Sequence, residues 1–124
     1  MTTYQAAQAY TNLRWGTMMP IAVMVGSTFA QVRARGTFSV AVSDPAQLAQ
    51  AVPDPDDLEG YLRSVMLSTI NEVIGERSTE VADIAQLTTI TPQTVQAFQA
   101  KLEAAFGAAG LQLKQISIEA IESV

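Results

Sequence analysis

The sequence predicts an α+β domain: a mostly antiparallel sheet, two long helices and one or two short ones packed on one face, and a closing C-terminal strand. Three observations carry this. The stretch from Thr28 to Pro45 alternates apolar Ala30, Val32, Ala34, Phe38, Val40 and Val42 with mostly polar Gln31, Arg33, Arg35, Thr37, Ser39 and Ser43, the period-2 pattern of a half-buried strand. Behind it, Asp44-Pro45, Asp54-Pro55 and Thr91-Pro92 each set a side-chain oxygen at an N-cap position and a proline at the first helical position. Leu111 to Ile121 then returns to alternation. Strands first, helices next and a closing strand is an α+β order.

With 124 residues, 48% of them hydrophobic and 15% charged, the chain is one domain, 1–124, large enough to bury a core without staples. Thr2 to Gly16 mixes Tyr4, Tyr10, Leu13 and Trp15 with alanine and glutamine, and its pattern fits helix and strand equally. Trp15-Gly16-Thr17 reads as a strand end and turn. Met18 to Val25 reads as a short apolar strand or extended segment, too short and too interrupted by Pro20 to span a bilayer. Gly26-Ser27 turns the chain into the long strand. Gly36 falls in phase with that strand's apolar set, which predicts a kink or bulge in one strand; a tight hairpin at Arg35-Gly36 is the competing reading.

The first helix is Pro45 to Val52. The second, Pro55 to Ile74, carries Leu58, Tyr61, Leu62, Val65, Ile70, Val73 and Ile74 on one stripe and is expected to end at Gly75. Thr79 to Thr89 is a short helix or an extended linker. Pro92 to about Ala109 stripes Val95, Phe98, Leu102, Ala105, Phe106 and Ala109, with Gly110 closing it. In the final strand Leu113 and Ile116 are out of phase by one, which predicts a bulge at Lys114-Gln115.

Charge is unevenly placed. Residues 1–43 carry Arg14, Arg33 and Arg35 and no acid, a charge of +3, while 44–124 carry twelve acids against Arg63, Arg77, Lys101 and Lys114, a charge of −8. So few arginines in so acidic a chain speak against nucleic acid as a partner. No cysteine excludes a disulfide scaffold and thiolate chemistry, no histidine removes the commonest metal and triad residue, and no Gly-x-Ser-x-Gly elbow occurs. Asp54, Asp56, Asp57 and Glu59 cluster, but Leu58 stands where a calcium loop needs an oxygen ligand, so they read as helix N-terminal charges favoured by the macrodipole. No cofactor, metal or catalytic residue is expected. Without a signal peptide, the chain reads as cytoplasmic.

Trp15-Gly16-Thr17 with Pro20-Ile21, then Arg33-Ala34-Arg35-Gly36-Thr37-Phe38-Ser39-Val40 leading to Ser43-Asp44-Pro45, resembles the SPFH domain, also called Band 7 or prohibitin homology, in its bacterial virion-core-protein-like branch. Tyr61-Leu62-Arg63-Ser64 through Asn71-Glu72-Val73-Ile74-Gly75 resembles that family's central helix. Gly110-Leu111 with Ile116-Ser117-Ile118-Glu119 resembles its closing turn and strand. The chain departs from the family by staying apolar over Ala22-Val23-Met24-Val25, and it reads as a domain core without the family's flanking segments. The resemblance implies a non-catalytic scaffold that oligomerises and organises partner proteins at a membrane, reached through absent segments or a partner.

Two surfaces are expected to serve. Arg33 and Arg35 on the wet face of the long strand would meet a neighbour's Asp56, Asp57 and Glu59 in a homo-oligomer, unless they pair within their own chain. Trp15, Met18, Met19, Ile21, Val23 and Met24 would form an exposed apolar patch for docking or peripheral lipid contact. A small-ligand or lipid-binding module built on the Trp15 to Val25 patch is the alternative.

Overall fold

A computed structural model describes residues 4–124. Its elements run β1 (Ala9–Gly16), β2 (Ile21–Val25), β3 (Thr28–Val42), α1 (Pro45–Ala51), a 3₁₀ turn (Pro55–Asp57), α2 (Leu58–Ser78), α3 (Ile84–Thr88), α4 (Pro92–Gly107) and β4 (Leu111–Ser123). The expected α+β architecture is thus present. Thr2 and Thr3 lie outside the described residues. From the undecided stretch 2–16, Ala9–Gly16 forms a strand.

β3 is the spine of an antiparallel four-stranded sheet. One edge of it pairs with β4 from Val32↔Ser123 to Val42↔Leu111. The other edge pairs with β2 over Thr28–Val32 and with β1 over Arg35–Ala41, so β1 and β2 lie end to end along it. The turn at Gly26-Ser27 is the hairpin, and β3 runs unbroken through Arg35-Gly36; the hairpin reading of that dipeptide is excluded.

Gly36 is where the β3–β4 register shifts. A Cβ there would collide with the Ser117 carbonyl and would stand 2.7 Å from Trp15 Nε1. Only glycine leaves room for the Trp15 indole to cross β3 and donate its N–H to the Ser117 carbonyl of β4, at 3.1 Å. A second shift between Ser39 and Val40 skips Lys114, as the broken alternation of the closing strand predicted.

The inner face carries Ala30, Val32, Ala34, Phe38, Val40 and Val42 of β3, and α2 and α4 cover it. α2 contributes Leu58, Leu62, Met66, Ile70, Val73 and Ile74, and α4 contributes Phe98, Leu102 and Phe106. Trp15 meets Phe98 edge-on at 5.1 Å, and Phe38 stacks on Phe106 at 6.3 Å. Such aromatic pairs add roughly 0.5–1.5 kcal/mol to the burial itself.

Two sequence expectations need correcting, and one left open is decided. α2 does not end at Gly75; it continues to Ser78, because Gly75 keeps ordinary helical backbone and the helix closes where Ser78 and Thr79 hydroxyls donate to the Gly75 and Glu76 carbonyls. Tyr61 and Val65 are only half-buried, while Met66, Thr69 and Ser78 join the buried stripe. Thr79 to Thr89 contains α3, capped by Asp83 accepting from the Gln86 N–H at 2.8 Å. At the far end, Gly110 has φ +81°, and its carbonyl accepts from Ser43 and Asp44, tying the start of β4 to the start of α1.

Candidate functional site: an apolar hairpin end, a charged pair of faces and a cleft

The β2–β3 hairpin puts side chains alternately inward and outward. Ile21 and Val25 go into the core, whereas Met24 on β2 lies opposite Phe29 on β3, and both face solvent, at 51% and 61% exposed. Met18 and Met19, in the bend linking β1 to β2, are 82% and 80% exposed. Val124, exposed as well, follows β4 and donates its N–H to the Gln31 carbonyl of β3. Of these large exposed apolar side chains, Met24 and Phe29 stand at the hairpin end of the sheet, while Met18, Met19 and Val124 stand farther along it, beside the Gln31–Ala34 part of β3. Phe29 was missed because it stands in the polar phase of β3.

Of the residues expected in that patch, Trp15 and Ile21 lie elsewhere. They are buried, at 5% and 6% exposed, because Trp15 packs on Phe98 and Ile21 pairs beside Val32 on the inward phase. Val23 is half-buried against the core, leaving Met18, Met19 and Met24 at the surface.

Arg33 and Arg35 point to the outer, solvent-facing side of β3. Arg35 pairs with Glu122 of its own chain at 3.0 Å, with both side chains well exposed, so this pair adds little stability. Arg33 makes no ion pair among the described residues. On the helical side, Asp54 caps the 3₁₀ turn by accepting from the Asp56 N–H at 3.0 Å, and Asp56 and Asp57 sit exposed in its first turn. Glu59 pairs with Arg63 one turn along α2 at 3.2 Å. The four carboxylates thus act as helix-start charges; among the described residues no group of three or more acidic, histidine or cysteine side chains could hold a metal. Lys101 of α4 donates to Glu72 and Glu76 of α2 at 2.8 and 3.1 Å, and these hydrogen bonds raise its pKa.

A cleft lies where the sequence reading did not look. Between β1 and the start of α2 opens a cleft of about 510 Å³. Leu13, Phe38, Leu58 and Leu62 line it with apolar surface, and Tyr10, Arg14, Glu59 and Arg63 bring polar groups to it. β1 shapes one wall through a bulge between Tyr10 and Leu13, where Asn12 takes φ +55° and donates its backbone N–H to the Ser39 hydroxyl. Tyr4, just ahead of β1, is buried and donates its hydroxyl to the Val52 carbonyl at 2.9 Å. Burial, then Tyr10, Asp54 and Asp57 nearby, raise its phenol pKa above the ordinary 10.0. The cleft's signal was present locally, in the broken alternation of Tyr10–Leu13. Its second wall comes from residues far along the chain, which no local pattern reveals.

No helix among the described residues is long and apolar enough to cross a membrane. Compared with known families, residues 3–123 match the SPFH domain-Band 7 family. Among curated proteins, nothing matches the chain.

Proposed function

The chain belongs to the SPFH domain-Band 7 family, and from that premise we propose that it is a non-catalytic scaffold domain that self-associates and organises partner proteins at a membrane surface. Membership of the family supports a membrane-associated, scaffold-like role. The observation that carries the finer reading is the hairpin end, where Met24 and Phe29 stand exposed opposite each other on the acid-free N-terminal part of the chain, with Met18 and Met19 exposed at the other end of β2. Apolar side chains of this kind enter the headgroup boundary of a bilayer, and cationic side chains beside them favour anionic lipid. Methionine's flexible, polarisable side chain suits such an adaptable contact.

Co-sedimentation with vesicles of phosphatidylglycerol and phosphatidylcholine tests the membrane contact. Wild type is expected to pellet with them and a Met24→Ser/Phe29→Ser variant to stay largely in the supernatant. Equal behaviour of the two, or no binding by wild type, removes the hairpin from the proposal.

For self-association, the arginine-bearing face of β3 in one copy would meet the acidic 3₁₀ turn and start of α2 in the next, with Asp56, Asp57 and Glu59. A head-to-tail contact of that kind closes into a ring or continues as a filament. Arg33 is the better-placed of the two arginines, since Arg35 is already engaged by Glu122. Light scattering at low and high salt is the measurement. An oligomer unchanged by Arg33→Glu/Arg35→Glu, or a wild type that is monomeric at low salt, rules this contact out.

A further inference from the structure

The cleft between β1 and α2 has features that assembly does not use. Its volume of about 510 Å³ falls within the roughly 300–1,000 Å³ of small-molecule sites. Its walls are an apolar surface made by Leu13 and Phe38 of the sheet facing Leu58 and Leu62 of α2. Two arginines are among the residues that line it, Arg14 of β1 and Arg63 of α2. The one carboxylate lining it, Glu59, is taken up by Arg63 at 3.2 Å. Arg14 has no ion-pair partner among the described residues, and the Tyr10 hydroxyl has no hydrogen bond among them either. The lining therefore carries one uncompensated positive charge beside an apolar floor.

We propose that this cleft binds a single-chain amphipathic carboxylate, its alkyl body on Leu13, Phe38, Leu58 and Leu62 and its head on Arg14. A planar carboxylate matches the two-pronged donor face of a guanidinium. The Glu59–Arg63 pair is solvent-exposed and so weakly held that Arg63 can turn to the incoming head as well. The apolar body supplies most of the affinity through burial, and the head supplies orientation and selects an anion over a neutral chain.

The test is a titration of the full chain with decanoate, kept below its micelle concentration and followed by the methyl resonances of Leu13, Leu58 and Leu62. Saturable movement of those methyls is expected, with the methyls of Met18 and Met24 unmoved. Arg14→Gln and the replacement of decanoate by decanol should each weaken binding about tenfold, the loss of one charge-assisted hydrogen bond. Arg14 is exposed, so its variant should fold; Arg63→Gln, expected to weaken binding severalfold, carries the same test if it does not. The proposal is overturned if decanol binds as well as decanoate, if neither arginine variant changes the affinity, or if no saturation is reached. It is equally overturned if the shifts concentrate on Met18 and Met24, or if the leucine methyls move on dilution without decanoate, which would mean that a second copy fills the cleft.

Discussion

At Gly36 a single missing methyl group lets three strands be joined by one side chain. The Trp15 indole reaches over the glycine to the Ser117 carbonyl, and a Cβ would strike both partners. One of those partners is backbone and cannot step aside, so Gly36→Ala is expected to cost about 3 kcal/mol, the upper end for overpacking. Urea unfolding followed by Trp15 fluorescence would measure it. The bulge at Gly36 was legible from the phase of β3; the indole's role was not, because its acceptor lies 102 residues away. Tyr4 gives a pH-dependent case. Its folded pKa is raised above 10.0, chiefly by burial. The stability linked to the protonated phenol is therefore fully present below pH 10 and is lost as pH rises through the folded value. Tyr4→Phe should cost about 1 kcal/mol at pH 7 by leaving the Val52 carbonyl without its donor, and should lose less stability than wild type between pH 9 and 11. Chemical unfolding across that range checks both; a variant with the wild-type alkaline slope would remove Tyr4 as the cause.

Helix starts were readable because an N-cap is a local device. Asp44 accepts from the Ala46 and Gln47 N–H groups and Thr91 from Thr94, as the Xaa-Pro pairs predicted, whereas Asp54, accepting from Asp56, caps a 3₁₀ turn, and the long helix expected from Pro55 begins at Leu58. Asp83 does the same for α3 without a proline to announce it, and that start went unread. Asp83→Ala should lower stability by about 1 kcal/mol, seen as an earlier thermal midpoint. Helix ends were harder, since glycine signals a stop only if the backbone turns left-handed there. Gly110 does so; Gly75 sits in the body of α2 with open space where a Cβ would go. Gly75→Ala should therefore stabilise the domain by about 0.5–1 kcal/mol, through a stiffer unfolded chain and better helix propensity. A thermal midpoint that falls instead would show that the helix bends there. Met66 illustrates a signal overlooked rather than absent: it stands midway between Leu62 and Ile70 at helical spacing and is fully buried.

On the scale of the whole molecule, the hairpin end and the cleft sit toward opposite ends of β3, Phe29 marking one and Phe38 the other, about 30 Å apart along an extended strand. The two should then be separable by mutation. Met24→Ser/Phe29→Ser removes exposed side chains only, so it should leave unfolding free energy within about 0.5 kcal/mol of wild type while changing vesicle binding; a large loss of stability would mean that the hairpin packs as core. The order of strands and helices was legible in the sequence, whereas the pairing of β1 and β2 along one edge of β3, and the cleft that follows from it, depend on contacts between distant residues. The same topology sets a hazard during synthesis. Thr37 and Ser117, bonded through their hydroxyls across β3 and β4, are 80 residues apart, so at about 5–20 residues per second β3 waits roughly 4–16 s on the ribosome for its partner. For that interval the longest strand of the domain has one bare edge and apolar Phe38 and Val40 to offer any neighbour. A nascent chain stalled before Leu111 is thus the most aggregation-prone form of this protein, and a chain ended at Gly110 should collect in the insoluble fraction when translated, where the full chain stays in solution.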